Sequence, residues 1–149
     1  MSESKTDQTK KLPYYLGKEK KVTEANYRTM INPKLADELY DKIVDLIITQ
    51  KKYKLSNYSA KEMAKELKTN TRYLSAVINS RFDMTYSRLM NEFRIKDAKN
   101  MLVDKRYKDK TVEEIGILVG FITRQSFYAS FYRLTGMPPR AYRMKYAEN

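Results

Sequence analysis

The sequence predicts an all-α fold of about seven helices, arranged as two helix-turn-helix units joined by a long linker helix. Two short stretches, residues 59–79 and 111–142, follow the same plan: a Ser/Thr-x-x-Glu capping box starts a helix, a tight turn ends it, and a second helix with one apolar stripe follows. Between them, residues 85–104 carry apolar side chains at helical spacing with no internal break. The two stretches also superimpose residue by residue: Ser59 on Thr111, Met63 on Ile115, Ala64 on Gly116 and Leu67 on Val119. With one extra residue in the later turn, Leu74 falls on Phe127 and Ile78 on Phe131, so the duplication is one of physical pattern more than of identity.

Residues 1–31 mix Ser, Thr, Lys, Glu and Gln with scattered Tyr and show no sustained period, which predicts a flexible arm. Asn32 and Pro33 suit the N-cap and first position of a helix, and Leu35, Leu39, Ile43, Leu46 and Ile47 then trace one apolar stripe to about Lys52. In the first unit Met63, Ala64 and Leu67 face inward, Lys68, Thr69 and Asn70 make the turn, and Leu74, Val77 and Ile78 anchor the following helix. The linker helix turns Leu89, Phe93, Ala98 and Leu102 inward, supported by Tyr86, Met90 and Met101, and keeps Arg88, Glu92, Lys96, Lys99 and Asn100 in water. Residues 105–110 form a charged connector. In the second unit Ile115, Leu118 and Val119 face inward, Gly120 and Phe121 stop the helix, and Phe127, Phe131 and Leu134 give the next helix its stripe. Pro138 and Pro139 then close that helix and start a short last one, with Tyr142 packing back.

The chain has 149 residues, enough for one ordinary domain or for a domain of roughly 110 residues with a tail. Thirty Lys and Arg stand against eighteen Asp and Glu, a net charge of +12, which points to a polyanionic partner: nucleic acid first, an anionic membrane or acidic protein second. Cys and His are both absent, which excludes disulfides, zinc fingers and nucleophile systems built on Cys or His. No apolar run approaches the twenty residues of a membrane span, and the N-terminus lacks the apolar core of a secretion signal, so a cytoplasmic location is expected. The carboxylates of Glu113, Glu114 and residues 104–109 sit at a helix start and in a loop, where dipole complementation and solvation account for them; no enzyme activity and no cofactor are expected.

Gly120, Phe121, Phe127, Phe131, Gly136, Pro139, Tyr142 and Arg143 match the GF…F…F…G..P..YR pattern of AraC/XylS-type transcriptional regulators, and Arg94, Ile95 and Ala98 resemble the RL..A of that family's linker helix. The resemblance implies a double helix-turn-helix DNA-binding domain over residues 32–147, with a first unit at 32–83, a linker helix at 85–104 and a second unit at 111–147. It also implies a bacterial regulator of transcription, an activator that contacts RNA polymerase. Members couple this domain to a sensor domain, for which thirty residues are too few, so the chain is expected to be either a small stand-alone regulator or, in preference, the output domain of a larger protein. Placed on the family's pattern, the first recognition helix presents Thr71, Arg72, Ser75 and Ala76, and the second presents Arg124, Gln125, Tyr128 and Ala129, as the residues that read bases. Arg and Gln match guanine and adenine edges in the major groove, which makes Arg124 and Gln125 the leading readers and Arg72 the next. Thr69, Asn70, Tyr73, Thr123, Ser126, Arg133 and Arg143 are the expected phosphate contacts. Phe121, Phe127 and Phe131 are expected in the core.

Four residues depart from the family's pattern. Ala76 and Ala129 replace long polar side chains and can offer a thymine methyl only an apolar touch. Asp83 stands where glycine is common, and Gly116 stands where alanine is usual, at a cost to its helix of up to about 1 kcal/mol. The linker helix, at about 1.5 Å per residue, spans roughly 27 Å and could hold the recognition helices about one DNA turn, roughly 34 Å, apart. The rival expectation is a basic helical module that binds an acidic partner or a membrane surface and reads no sequence.

Overall fold

The computed structural model describes residues 33–147; the expected arm at 1–31 and the expected N-cap Asn32 lie outside them. Seven α-helices follow one another among the described residues: α1 (Pro33–Val44), α2 (Ala60–Glu66), α3 (Thr71–Phe82), α4 (Tyr86–Val103), α5 (Val112–Leu118), α6 (Arg124–Thr135) and α7 (Pro139–Tyr146). No strand occurs among them, and no helix is long and apolar enough to cross a membrane.

Side-chain caps set the starts of the four helices in the paired units, because the first N–H groups of a helix have no partner within it. Ser59 accepts from the Glu62 N–H at 3.2 Å, Asn70 from Tyr73 at 2.9 Å, and Thr123 from Ser126 at 3.1 Å. At α5 the full reciprocal box forms, Glu114 N–H to Thr111 Oγ1 and Thr111 N–H to Glu114 Oε1, both at 3.0 Å. The ends use the left-handed backbone. Asp83 (φ 60°) closes α3 as Gly136 (φ 79°) closes α6, and Lys68 (φ 57°) and Gly120 (φ 117°) occupy equivalent places in the two turns. Asp83 therefore stands in a position whose backbone favours glycine, and a short polar side chain is among the few that tolerate it.

The described residues fall into two compact units. One comprises residues 33–49 with Ser59–Leu89, the other Gln50–Tyr58 with residues 90–147. In the first, α1 packs on α3 through a Tyr40–Phe82 ring stack (5.2 Å), and Arg81 lies over Tyr40 while pairing with Asp37. Its buried stripe differs from the expected one at the start of α1: Leu35 is 51% exposed and Ala36 is buried in its place. The helix also ends sooner than expected. After Val44 the chain widens into a π turn over Asp45–Thr49, and Lys51 turns left-handed (φ 52°).

That turn delivers Tyr53, on a short 3-10 turn (Lys52–Lys54), into the second unit. Tyr53 is buried against Phe93 (5.7 Å); its hydroxyl donates to Asp97 at 2.6 Å and its carbonyl accepts from Arg94 Nε at 2.6 Å. Burial, more than the carboxylate beside it, pushes the Tyr53 hydroxyl far up, so it stays a donor. Around this contact Ile95, Ala98, Leu102, Val112, Ile115, Val119, Phe121, Phe127 and Phe131 form one core. The three phenylalanines are buried as expected, Phe127 lying 5.2 Å from Phe121 and 5.8 Å from Phe131. Two assignments differ, one expected inside and one expected in water. Leu118 is 46% exposed, because the turn that follows needs only Val119 inside, and Glu92 is 7% exposed, because α4 buries residues on more than one side and Glu92 lies between Leu89 and Ile95 on that surface.

Two glycines answer the expectation that Gly116 merely weakens its helix. A Cβ on Gly116 would lie 2.6 Å from the Phe127 ring, and one on Gly120 would lie 2.3 Å from the Tyr53 carbonyl oxygen. Gly116→Ala is expected to lower stability by up to about 2 kcal/mol, overpacking outweighing the better helix former. In a double-mutant cycle, Phe127→Leu should recover part of that loss; thermal melts of the four proteins check both signs. Gly120→Ala combines a left-handed strain with a backbone clash and is expected to cost at least about 3 kcal/mol, read by urea unfolding.

Candidate nucleic-acid interface

The polar fronts expected from the sequence are at the surface of both recognition helices. On α3, Thr71, Arg72, Tyr73 and Ser75 are exposed and Ala76 is half-buried, while Leu74, Val77 and Ile78 hold the opposite side in the core. On α6, Arg124, Gln125, Ser126 and Ala129 are exposed, Tyr128 is half-buried, and Phe127, Ser130 and Phe131 are buried. The alternation follows from helical spacing. Residues one turn apart share a face, so an apolar pair four residues apart fixes which neighbours must point outward.

The expected phosphate contacts differ in what else they do. Asn70 and Thr123 are N-caps, and the Ser126 hydroxyl donates to the Thr123 carbonyl at 3.0 Å while accepting from the Thr123 hydroxyl at 2.9 Å. These groups fix the first turns of α3 and α6, where N–H groups and the positive end of the helix dipole are gathered. Thr69 is half-buried in the first turn, and Arg133 is exposed on α6. Arg143 is also tied down within its own unit. Its guanidinium donates to three backbone carbonyls, Nε to Leu102 at 3.2 Å, one η nitrogen to Lys110 at 2.6 Å and the other to Tyr107 at 3.0 Å. The end of a helix leaves carbonyls without intrahelical donors, and Leu102 belongs to the last turn of α4, so Arg143 ties α7 to that end.

Around Arg124 the second unit holds a polar cluster that spacing alone did not reveal. One carboxylate oxygen of Glu113, on α5, accepts from the Tyr128 hydroxyl at 2.7 Å and from Arg124 Nε at 3.3 Å; an η nitrogen of Arg140, on α7, lies 4.0 Å away. The Arg124 guanidinium also sits over the Tyr128 ring, 4.5 Å from its centre. The Tyr128 hydroxyl, the backbone N–H and Arg124 together hold the Glu113 carboxyl below its usual range, and the same Tyr128 and Glu113 contacts raise Arg124, so both stay charged. Eleven residues separate Glu113 from Arg124, and no short motif joins them; the available signal was the superposition of one helix start on the turn that follows it.

The chain was compared with known proteins. A helix-turn-helix domain family matches residues 63–145. The melibiose operon regulatory protein of Escherichia coli K12 is 27% identical over 82 residues, which make up 55% of this chain and 26% of that protein. A second relative, the uncharacterized HTH-type transcriptional regulator YtdP of Bacillus subtilis, is 29% identical over 111 residues, 74% of this chain and 14% of its own length. Among solved structures, the C-terminal domain of AraT, a response regulator from Geobacillus stearothermophilus, superimposes with a TM-score of 0.63 at 22% identity, covering 80% of this chain and 91% of that one. The C-terminal domain of the two-component response regulator yesN from Fusobacterium nucleatum gives 0.60 at 22% identity, covering 69% of this chain and 97% of that one. The chain thus spans about a quarter or less of the curated relatives it matches. With two capped helix pairs, a helix between them and the match over both, this chain belongs to the AraC-type helix-turn-helix family of DNA-binding transcriptional regulators.

Proposed function

We propose that this chain binds duplex DNA in a sequence-specific manner, placing α3 and α6 in two successive major-groove segments. The observation that carries the reading is the equivalence of the two fronts: Thr71, Arg72, Ser75 and Ala76 occupy in α3 the places of Arg124, Gln125, Tyr128 and Ala129 in α6, each set outward from a buried apolar stripe. A net charge of +12 supplies the attraction to phosphate, and α4 is one continuous helix of 18 residues, roughly 27 Å long, between the two helix pairs. In this reading Arg124 and Gln125 are the strongest base readers and Arg72 is next; Ser75, Ala76, Tyr128 and Ala129 complete the fronts. Thr69, Asn70, Tyr73, Thr123, Ser126 and Arg133 contact phosphates. The DNA-binding domain spans residues 32–147 and serves as the output domain of a larger regulator, a reading that the greater length of the relatives supports; contact with RNA polymerase is part of the same proposal.

The first test is selection of bound fragments from random duplex DNA, with enrichment of two half-sites about one helical turn apart as the expected result. Arg72→Ala and Gln125→Ala are each expected to lower binding to the selected duplex by about 1–3 kcal/mol and to relax one base position, measured by titration against single-base variants. An equal loss on every sequence would make the residue a phosphate contact, and no enrichment at all would favour a basic module without sequence readout. If each recognition unit meets three to five phosphates, affinity should fall by about 10³–10⁵ between 50 and 200 mM salt. A flat salt response would remove the two-helix footprint.

A further inference from the structure

We propose that Glu113 is a positioning residue for base reading: from α5, outside the recognition helix, it fixes the guanidinium of Arg124 in the orientation that α6 presents to DNA. The proposal rests on the reading of Arg124 as a base contact. A free arginine on an exposed helix front samples many rotamers, and each must be given up when a bidentate contact to guanine forms. Here the side chain is held from two directions. Glu113 takes Nε at 3.3 Å, and the Tyr128 ring, one turn further along α6, lies under the guanidinium at 4.5 Å. Tyr128 is in turn fixed by donating its hydroxyl to the same carboxylate oxygen at 2.7 Å. An end-on contact through the two η nitrogens does not use Nε, so the anchor is compatible with reading guanine O6 and N7. Arg140, 4.0 Å from the same oxygen, adds a second positive charge beside the carboxylate.

A carboxylate beside a DNA-binding front also repels phosphate, so its presence there opposes binding to any duplex. These two effects separate a positioning role from a structural one. In Glu113→Gln the charge is lost while the side-chain shape is kept. Affinity for random duplex should then rise two- to fivefold, and the ratio of selected to random binding should fall about tenfold, the scale of a coupled pair. Tyr128→Phe, which removes the hydroxyl that orients the carboxylate, should lower the same ratio without the rise in random binding. In an Arg124→Ala background Glu113→Gln should leave the ratio unchanged, because the group it positions is gone. Thermal melts confirm that each variant is folded.

If Arg124→Ala weakens selected and random duplex equally, the assignment of Arg124 to bases fails and this proposal fails with it. If Arg124→Ala lowers the ratio but Glu113→Gln does not, the base reader stands and the positioning role alone is overturned. A gain in affinity for selected and random duplex by the same factor would make Glu113 a competitor of DNA, which also overturns it.

Discussion

The second unit depends on a missing atom. Gly116 has no Cβ, and the ring of Phe127 occupies the space where one would be, 2.6 Å from its ideal position. Because Phe127 is the first buried residue of α6, that contact sets how closely the helix bearing Arg124 and Gln125 approaches α5. Phe121 and Phe131 pack on the same ring, and Tyr142 meets Phe131 edge-on at 5.3 Å, so α7 is seated by the same stack. Interiors packed to crystal density transmit a displacement of a few tenths of an ångström, and a readout that depends on hydrogen-bond geometry is sensitive to shifts of that size.

Polar links then extend from the apolar stack. Tyr53 closes the opposite side of α4 through Asp97 and Arg94 and brings its carbonyl against Gly120, in the turn that precedes α6. Arg143 binds three carbonyls at the end of α4 and the connector after it. Glu113 gathers Tyr128 and Arg124 at one oxygen. A segment from before α2, a helix from the end of the chain and the first turn of α5 thereby all bear on the elements around the second recognition helix.

Much of this was legible in the sequence for a physical reason: caps and apolar stripes are local, and each constrains residues within one or two turns of itself. Ser59 and Thr111 cap their helices as the local pattern requires, only Thr111 in a full reciprocal box, and the burial of Phe127 and Phe131 follows from their spacing; Asn70 and Thr123 cap theirs beyond what was expected of them. The misses lie where the deciding partner is remote. Leu35 and Leu118 sit on the margin of a stripe, and only packing tells which margin is covered. The burial of Glu92 depends on α4 having more than one covered side. Tyr53 reaches its place through a left-handed Lys51, an unusual residue for that backbone, and its partners are 41 and 44 residues away. Arg143 carries the family's pattern and also binds carbonyls 33 to 41 residues back, a role that no spacing rule anticipates. Glu113 looked like a residue complementing a helix dipole, and it is that as well as the anchor of Arg124.

The left-handed corners give the two helix pairs unequal freedom to change. In the first pair they are held by Lys68 and Asp83, side-chain-bearing residues in a backbone region where glycine alone is free of strain. In the second, a Cβ on Gly120 would meet the Tyr53 carbonyl oxygen, whereas one on Gly136 would meet nothing within 4 Å, so at Gly136 only the positive φ opposes a side chain. The turn of the second pair is therefore closed to change by contact as well as by backbone strain, while the equivalent corner of the first already carries a side chain.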